Sequence, residues 1–272
     1  MTDDTPLVTI ITAVFNGVDQ IERALSSVAA QSYKNIEHIV IDGGSTDGTK
    51  ELLERNRGKL AVLISEPDNG IGDAWNKGLR RATGEIIGIL NADDYYDPAA
   101  IAEVVKVSLS ITSPAIYYGS VTYIDNSGIP FRTIDRVFSP RMLMLGPQII
   151  HTSVFVDRKI YDNVGYFDDR LNIAVDADFL LRAHCSGSLF VKANNRTFMQ
   201  IGGVSERKVF KGYWEYTRIL RKLRLYTTAQ IWVFRFFSLF FLVALKLRHS
   251  RFLIYIAKNI RSVQKENKTE NL

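Results

Sequence analysis

The order of apolar segments predicts an α/β fold, a mostly parallel sheet followed by a helical, basic extension. Three observations carry that prediction. Short apolar runs alternate with helix-like stretches through the first ~100 residues, the pattern of consecutive βαβ units. Three of those runs end in polar residues: Asn16, Asp42 and Asn91-Ala92-Asp93-Asp94. Charge also divides the chain: residues 1–206 carry 19 Lys/Arg against 26 Asp/Glu, a net of −7. Residues 207–261 carry 13 against 1, the single acid being Glu215, a net of +12. Regions of such opposite charge serve different purposes.

Taken in order, Leu7–Val14 reads as a first strand and Val18–Gln31 as a helix. Ile36–Ile41 is a second strand, with a helix from about Thr46 to Arg57. Leu60–Ser65 and Glu85–Leu90 are the third and fourth strands, with Ile71–Ala82 a helix between them. Pro98 suits the first turn of the next helix. From about Ile116 the pattern changes. Tyr117–Ile124 and Ile129–Thr133 flank Asp125-Asn126-Ser127-Gly128, a hairpin signal. Residues 134–206 mix strands and helix, and from Tyr213 the chain is helical, aromatic and basic. Two regions follow: 1–206, divided near residue 115, and the extension 207–272. In open α/β sheets ligands bind beyond the C-terminal strand ends, so the polar strand ends converge on one crevice.

Composition narrows the chemistry. An apolar fraction of 46% in 272 residues predicts a sizeable core. The single cysteine, Cys185, excludes an internal disulfide and a Cys-rich zinc site, and 4 scattered His form no ligand cluster. The acidic start Met1-Thr2-Asp3-Asp4 runs directly into a strand, which is unlike a signal peptide, so a reducing cytoplasm is expected.

Asn91-Ala92-Asp93-Asp94 follows a strongly apolar strand, and carboxylates there suit a hard divalent cation that clamps a diphosphate. The bland alternative is that Asp93 and Asp94 cap the helix near Pro98. In Asp42-Gly43-Gly44-Ser45-Thr46-Asp47-Gly48 a carboxylate can accept hydrogen bonds from a base or ribose, while glycines admit close backbone approach. A plain glycine turn capped by Asp47 explains it too. Asp68 follows the third strand in Asp68-Asn69-Gly70-Ile71, where a simple turn competes with a nucleotide pocket. No G-x-G-x-x-G opens the first helix, and there is no P-loop.

Together, Val14-Phe15-Asn16, the segment Val40 to Thr49, Asp68-Asn69-Gly70-Ile71 and Leu90-Asn91-Ala92-Asp93-Asp94 have the order and spacing of glycosyltransferase family 2. The chain resembles that family over roughly residues 7–205, and bacterial exopolysaccharide and glycolipid enzymes in particular. The resemblance implies the GT-A fold, a Rossmann-like nucleotide-sugar half (about 1–115) joined to an acceptor-binding, catalytic half (116–206). It implies that Thr12 or Ala13, Asn16, Asp42, Asp68, Asn91 and Ala92 line the nucleotide site. Asp93 is implied as the metal-binding acid of the Asp-x-Asp motif, with Mg²⁺ or Mn²⁺. Asn91 stands where that motif's first acid is usual, which removes one charge near the diphosphate.

Asp176-Ala177-Asp178-Phe179-Leu180-Leu181-Arg182 is similar to the family's later acidic motif, although Val175 stands where Glu is common. Aligned on Arg182, Asp176 is the counterpart of the catalytic base and Asp178 the second choice. A carboxylate there deprotonates the acceptor hydroxyl as it attacks the anomeric carbon, and one displacement inverts the configuration. The competing reading is Asp176 as a helix cap and Asp178 as a solvated first-turn acid. The resemblance also puts His151 in the acceptor half, on acceptor or diphosphate, and sets Gly203 and Ser205 in a loop whose N–H groups face the diphosphate.

Ile231–Leu245 is nearly all apolar but carries Arg235 and falls short of the ~20 residues a bilayer crossing needs. Flanking cations such as Arg218, Arg221, Lys222, Lys246, Arg248 and Arg251 suit anionic headgroups, which favours peripheral attachment to the inner face of the cell membrane. Packing on the domain or on a second copy in a homodimer ranks next; nucleic acid is not expected as a partner, because the catalytic half is acidic. The sequence thus predicts a glycosyltransferase acting on a lipid-linked or polysaccharide acceptor. The alternatives are a sugar nucleotidyltransferase, for which no basic triphosphate loop follows the first strand, and a non-catalytic nucleotide-binding protein.

Overall fold

Four parallel strands form the first half of the sheet: β1 (Val8–Val14), β2 (Ile36–Asp42), β3 (Val62–Ser65) and β4 (Ile86–Asn91). They are joined by α1 (Ile21–Ala29), α2 (Thr49–Arg55) and α3 (Ile71–Leu79). The computed structural model that shows this describes residues 5–125, 127–203 and 208–236. Every residue of β1 is buried, because helices cover both faces, and that is why this strand is apolar on both sides but for Thr9 and Thr12. Val8, Ile10 and Val14 pack with Leu25 and Val28 of α1. Ile11 and Ala13 face the other way, onto Trp75 and Leu79 of α3. Gly78 brings α3 against β1, since a Cβ there would lie 2.4 Å from Ile11 Cγ2.

The chain continues through β5 (Tyr95–Tyr96), α4 (Ala100–Ser108), β6 (Ala115–Ile124), β7 (Pro130–Ile134), β8 (Val154–Asp157), α5 (Arg158–Val164), α6 (Val175–Cys185), β9 (Leu189–Gln200) and α7 (Val209–Lys222). All 9 strands join one sheet in the order β3-β2-β1-β4-β8-β6-β9-β5, with β7 on β6. Strand β8 runs antiparallel between β4 and β6, so the two halves share a sheet instead of forming separate cores. The hairpin expected around residues 125–128 is present. Asp125 Oδ1 accepts the N–H of Ser127 and of Ile129, each at 2.9 Å, and Gly128 adopts φ +78°.

Strand order reverses at β1: β2 and β3 lie on one side and β4 on the other. The C-terminal ends of β1, β2 and β4 therefore lie side by side at the switch point, Val14 beside Asp42 and Ala13 beside Asn91, the place where open α/β sheets leave a crevice.

The chain divides into two compact units, and the first runs to Leu223. Charge alone placed that boundary at residue 206, and the structure moves it, because α7 belongs to the first unit. Tyr216, Ile219 and Leu220 of α7 are buried, and the Tyr216 hydroxyl donates to the Leu143 carbonyl at 2.6 Å. The second unit opens with a helix over 228–236. Gln230 N–H donates to Thr227 Oγ1 at 3.2 Å, and Thr227 N–H donates to Gln230 Oε1 at 2.9 Å, a reciprocal capping box. Among the described residues no helix is long and apolar enough to cross a membrane. The apolar run beyond 236, with Lys246, Arg248 and Arg251, lies outside the described residues.

Candidate active site

The crevice is built from three strand ends. At the end of β1, Asn16 adopts φ +48°, which asparagine tolerates better than most residues. Its Oδ1 accepts Thr46 N–H at 2.9 Å, and its own N–H donates to Ser45 Oγ at 2.7 Å, so the two loops are locked together. Phe15 beside it is 65% exposed. At the end of β2, Asp42 is fully buried, its carboxylate accepting from Ser45 Oγ at 2.5 Å and Ser65 Oγ at 2.6 Å. A Cβ on Gly43 would lie 2.4 Å from Asp68 Oδ2 and 3.4 Å from Phe15 Cδ2. Glycine at 43 is thus what allows Asp68 to approach the backbone beside Phe15, while Asp42 lies beneath them, closed from solvent and held by its two serine partners. Asp47 is not the cap of α2, which is Gly48; it accepts Thr49 N–H at 3.0 Å from just outside the helix, an Asx turn.

At the end of β4 the two acids separate. Asp94 is 1% exposed, with Oδ1 accepting Gln200 N–H at 3.2 Å and Oδ2 without a partner. Burial and the neighbouring Asp93 push its carboxyl well above the usual range. Asp93 is half-buried; burial raises its carboxyl too, while its own backbone N–H and the charges of His151 and Arg23 pull it back. Neither acid caps the next helix, whose first N–H groups turn to Asp97: Ala99 N–H donates to its Oδ1 at 3.1 Å. Arg23, which the sequence did not single out, holds this turn by donating to the Asp93 carbonyl at 2.9 Å and Gln200 Oε1 at 2.8 Å. Its guanidinium also lies 4.7 Å over the Tyr95 ring.

The second half contributes His151 and Asp176. Asn91 Nδ2 lies within hydrogen-bonding distance of His151 Nε2, 3.1 Å, and His151 Nδ1 stands 3.5 Å from Asp176 Oδ2. Trp75, 3% exposed, holds the imidazole with ring centroids 5.2 Å apart. Asp176 is no cap: α6 opens at Ala174 without a side-chain cap. The side chains of His151 and Asp176 remain 21% and 24% exposed, so the pair borders solvent. Asn91, His151 and Asp176, far apart in sequence, are therefore brought side by side at the end of β4.

Two expectations are corrected. Asp178 is neither solvated nor facing the crevice: it is 1% exposed and pairs with Arg182 Nε at 2.7 Å, and Arg182 in turn donates to the carbonyls of Val164 and Tyr166, each at 2.7 Å. Two residues further along a helix the side chain points away from the face that holds Asp176. Thr12 is fully buried inside the sheet with its hydroxyl 2.9 Å from His38 Nε2, and it offers the crevice no polar group. Ala13 and Ala92 are buried at 4% and 8% exposure. Gly203 meets open space, and Gly202 before it has φ +91°. Ser205 lies outside the described residues.

The donor set fits Mg²⁺ or Mn²⁺ only in part from the protein. Among the described residues no three His, Cys, Asp or Glu gather as a metal cluster. One half-buried carboxylate, Asp93, just beyond a strand end would suit a hard cation only if a bound ligand and water supplied its other oxygens.

A mixed sheet whose first half is parallel, with polar residues at the strand ends of its switch point, has the Rossmann-like GT-A architecture. The model of glycosyl transferase family 2 matches residues 9–163, and the chain belongs to that family. An uncharacterized glycosyltransferase of Mycobacterium tuberculosis (strain ATCC 25618 / H37Rv) is 36% identical over 187 residues, covering 65% of this chain and 69% of that one. A PGL/p-HBAD biosynthesis glycosyltransferase of Mycobacterium bovis (strain BCG / Pasteur 1173P2) is 26% identical, covering 76% and 82%. Among solved structures, the mannosyltransferase PcManGT of Pyrobaculum calidifontis, in complex with GDP-Man and Mn²⁺, superposes with TM-score 0.61 at 21% identity, over 83% of this chain and 66% of that one. S. aureus TarS 1-349 in complex with UDP-GlcNAc gives TM-score 0.60 at 19% identity, over 79% and 65%. At those identities the likeness is one of fold.

Proposed function

We propose that this chain transfers a sugar, with inversion, from a nucleotide diphosphate sugar to a hydroxyl of a lipid-linked or saccharide acceptor. The observation that carries the reading is the Asn91–His151–Asp176 cluster at the end of β4. Asp68 and Phe15 would supply a hydrogen-bond acceptor and an aromatic edge for nucleoside, on loops that the buried Asp42 holds through Ser45 and Ser65. Asp93 would hold the divalent cation, which when bound offsets negative charge developing on the leaving diphosphate.

In this reading His151 fixes Asp176 through Oδ2, and Oδ1, which takes no protein hydrogen bond among the described residues, faces the acceptor. The acceptor hydroxyl gives its proton to Asp176 as its oxygen bonds to the anomeric carbon. The bond from that carbon to the diphosphate oxygen breaks, and the nucleoside diphosphate leaves with the electron pair. A single displacement inverts the anomeric centre.

The basic second unit and its flank fit peripheral attachment to an anionic membrane. The stretch 207–261 carries a net of +12, and Trp232 and Phe236 are 59% and 69% exposed.

The reading is tested by incubating UDP- and GDP-sugars with Mn²⁺ and following nucleoside diphosphate release. Asp176→Asn should lower turnover by about 10²–10⁴-fold, the usual contribution of a general base, with donor binding retained. Asp93→Ala should abolish Mn²⁺ stimulation. Calorimetry should find Mn²⁺ binding weak alone and tight once a nucleoside diphosphate is present. Donor binding without turnover across donors and acceptors would sink the proposal.

A further inference from the structure

Glu215 is the only acid among thirteen cations in the stretch 207–261, yet it faces the protein. From α7 its carboxylate reaches the three residues that enter α6. Glu215 Oε2 accepts Ile173 N–H at 2.8 Å and Ala174 N–H at 3.0 Å, and both carboxylate oxygens lie 3.3 Å from Asn172 N–H. Three successive N–H groups converging on one carboxylate, next to the positive end of a helix, form a strong anchor. The helix has no other side-chain cap at this end. Asp176 sits two residues beyond Ala174, so the orientation of its side chain is set where Glu215 holds the backbone.

A second contact reinforces the first. Gly212, one turn earlier on α7, lies so close to the same loop that a Cβ there would stand 2.8 Å from Ile173 Cγ2. Helix α7 also presents Phe210, Lys211, Trp214 and Arg218 on its exposed face, opposite the buried Tyr216, Ile219 and Leu220. One short helix therefore has its basic, aromatic face outward and its single acid on the loop that leads to the candidate base.

We infer that Glu215 is a positioning residue, holding the Asn172–Ala174 loop so that Asp176 faces His151. The inference rests on the reading of Asp176 as the base. Without the anchor the loop and the first turn of α6 gain freedom, and the carboxylate loses its fixed approach to the acceptor hydroxyl; a small displacement of a positioned group has a large effect on rate. The proposed nucleoside site at the ends of β1 and β2 shares no hydrogen bond with this loop among the described residues.

The full-length chain with Mn²⁺ and its donor tests this. Glu215→Ala should lower kcat by about 10–100-fold while the donor KM and nucleoside diphosphate affinity stay within about twofold. Amide hydrogen exchange at Ile173 and Ala174 should quicken. Glu215→Gln keeps an acceptor oxygen and should recover part of kcat and most of the exchange protection, which separates positioning from loss of fold. The inference is overturned if Glu215→Ala keeps wild-type kcat while Asp176→Asn is inactive, or if Glu215→Gln and Glu215→Ala both lose donor binding together with kcat. Full activity in Asp176→Asn would instead overturn the reading of the base, and the exchange result at Ile173 and Ala174 would still report on the anchor.

Discussion

Two acids two positions apart, Asp176 and Asp178, show how much a single residue's surroundings decide. Asp178 lies inside the protein on Arg182, so removing it leaves a guanidinium without its counter-charge. Asp178→Ala is expected to destabilise the fold by about 3 kcal/mol, seen as a lowered melting temperature. Asp176→Asn should melt like the natural protein and fail in turnover. The opposite pattern would exchange their roles. His38 makes a second residue-scale prediction. It is fully buried against Thr12, and burial lowers its pKa from 6.5 to about 4. Its native pKa is depressed, so the unfolded chain takes up a proton that the native protein refuses. Stability from this group is complete above pH ~6.5 and falls as pH drops toward ~4, by on the order of 3 kcal/mol. Urea unfolding at pH 7.5 and 5 should show the decline, and the His38 ring resonances should not titrate between those values.

At the scale of elements, the crevice depends on how closely helices and strands approach. Gly78 of α3 faces Ile11 of β1 with no room for a methyl group. Gly78→Ala raises helix propensity by about 1 kcal/mol, yet the overlap should outweigh that and give a net loss of about 1–3 kcal/mol. A urea midpoint equal to or above the natural protein's would refute that packing argument. Helix α7 is the other element whose role the fold redefines. Its sequence reads as basic and amphipathic, and its charge groups it with the extension. Buried Tyr216, Ile219 and Leu220 instead fasten it to the first unit, where Glu215 meets the entry to α6.

For the whole molecule, the division after Leu223 separates two expectations. A chain ending at Leu223 should unfold cooperatively and keep nucleoside diphosphate binding, because the crevice is complete within it. The full chain should co-sediment with vesicles containing anionic lipid and be released by about 0.5 M salt, where screening shortens electrostatic reach to a few ångströms. Equal sedimentation of the shortened chain would place any membrane contact on α7.

The sequence by itself determined the parallel half of the sheet, because β1 and β4 are buried along almost their whole length and so read as largely apolar runs between amphipathic helices. It also determined the crevice, because Asn16, Asp42 and Asn91 to Asp94 fall at strand ends, and the spacing of those motifs is the family's. What it left open was direction. Asp176 and Asp178 are the same residue type in the same turn, and only the packing of α6 turns one to His151 and the other to Arg182. Thr12 sits on a strand whose end lines the crevice, yet its side chain enters the core. Arg23 and Glu215 carry no local signal at all, since their partners lie in remote segments of the chain. Periodicity and motif spacing are local properties that a chain displays in its order of residues. Asp178 meets Arg182 one turn along its own helix, but which face of α6 turns inward and which borders His151 is fixed by contacts between distant segments, and those exist only once the sheet has closed.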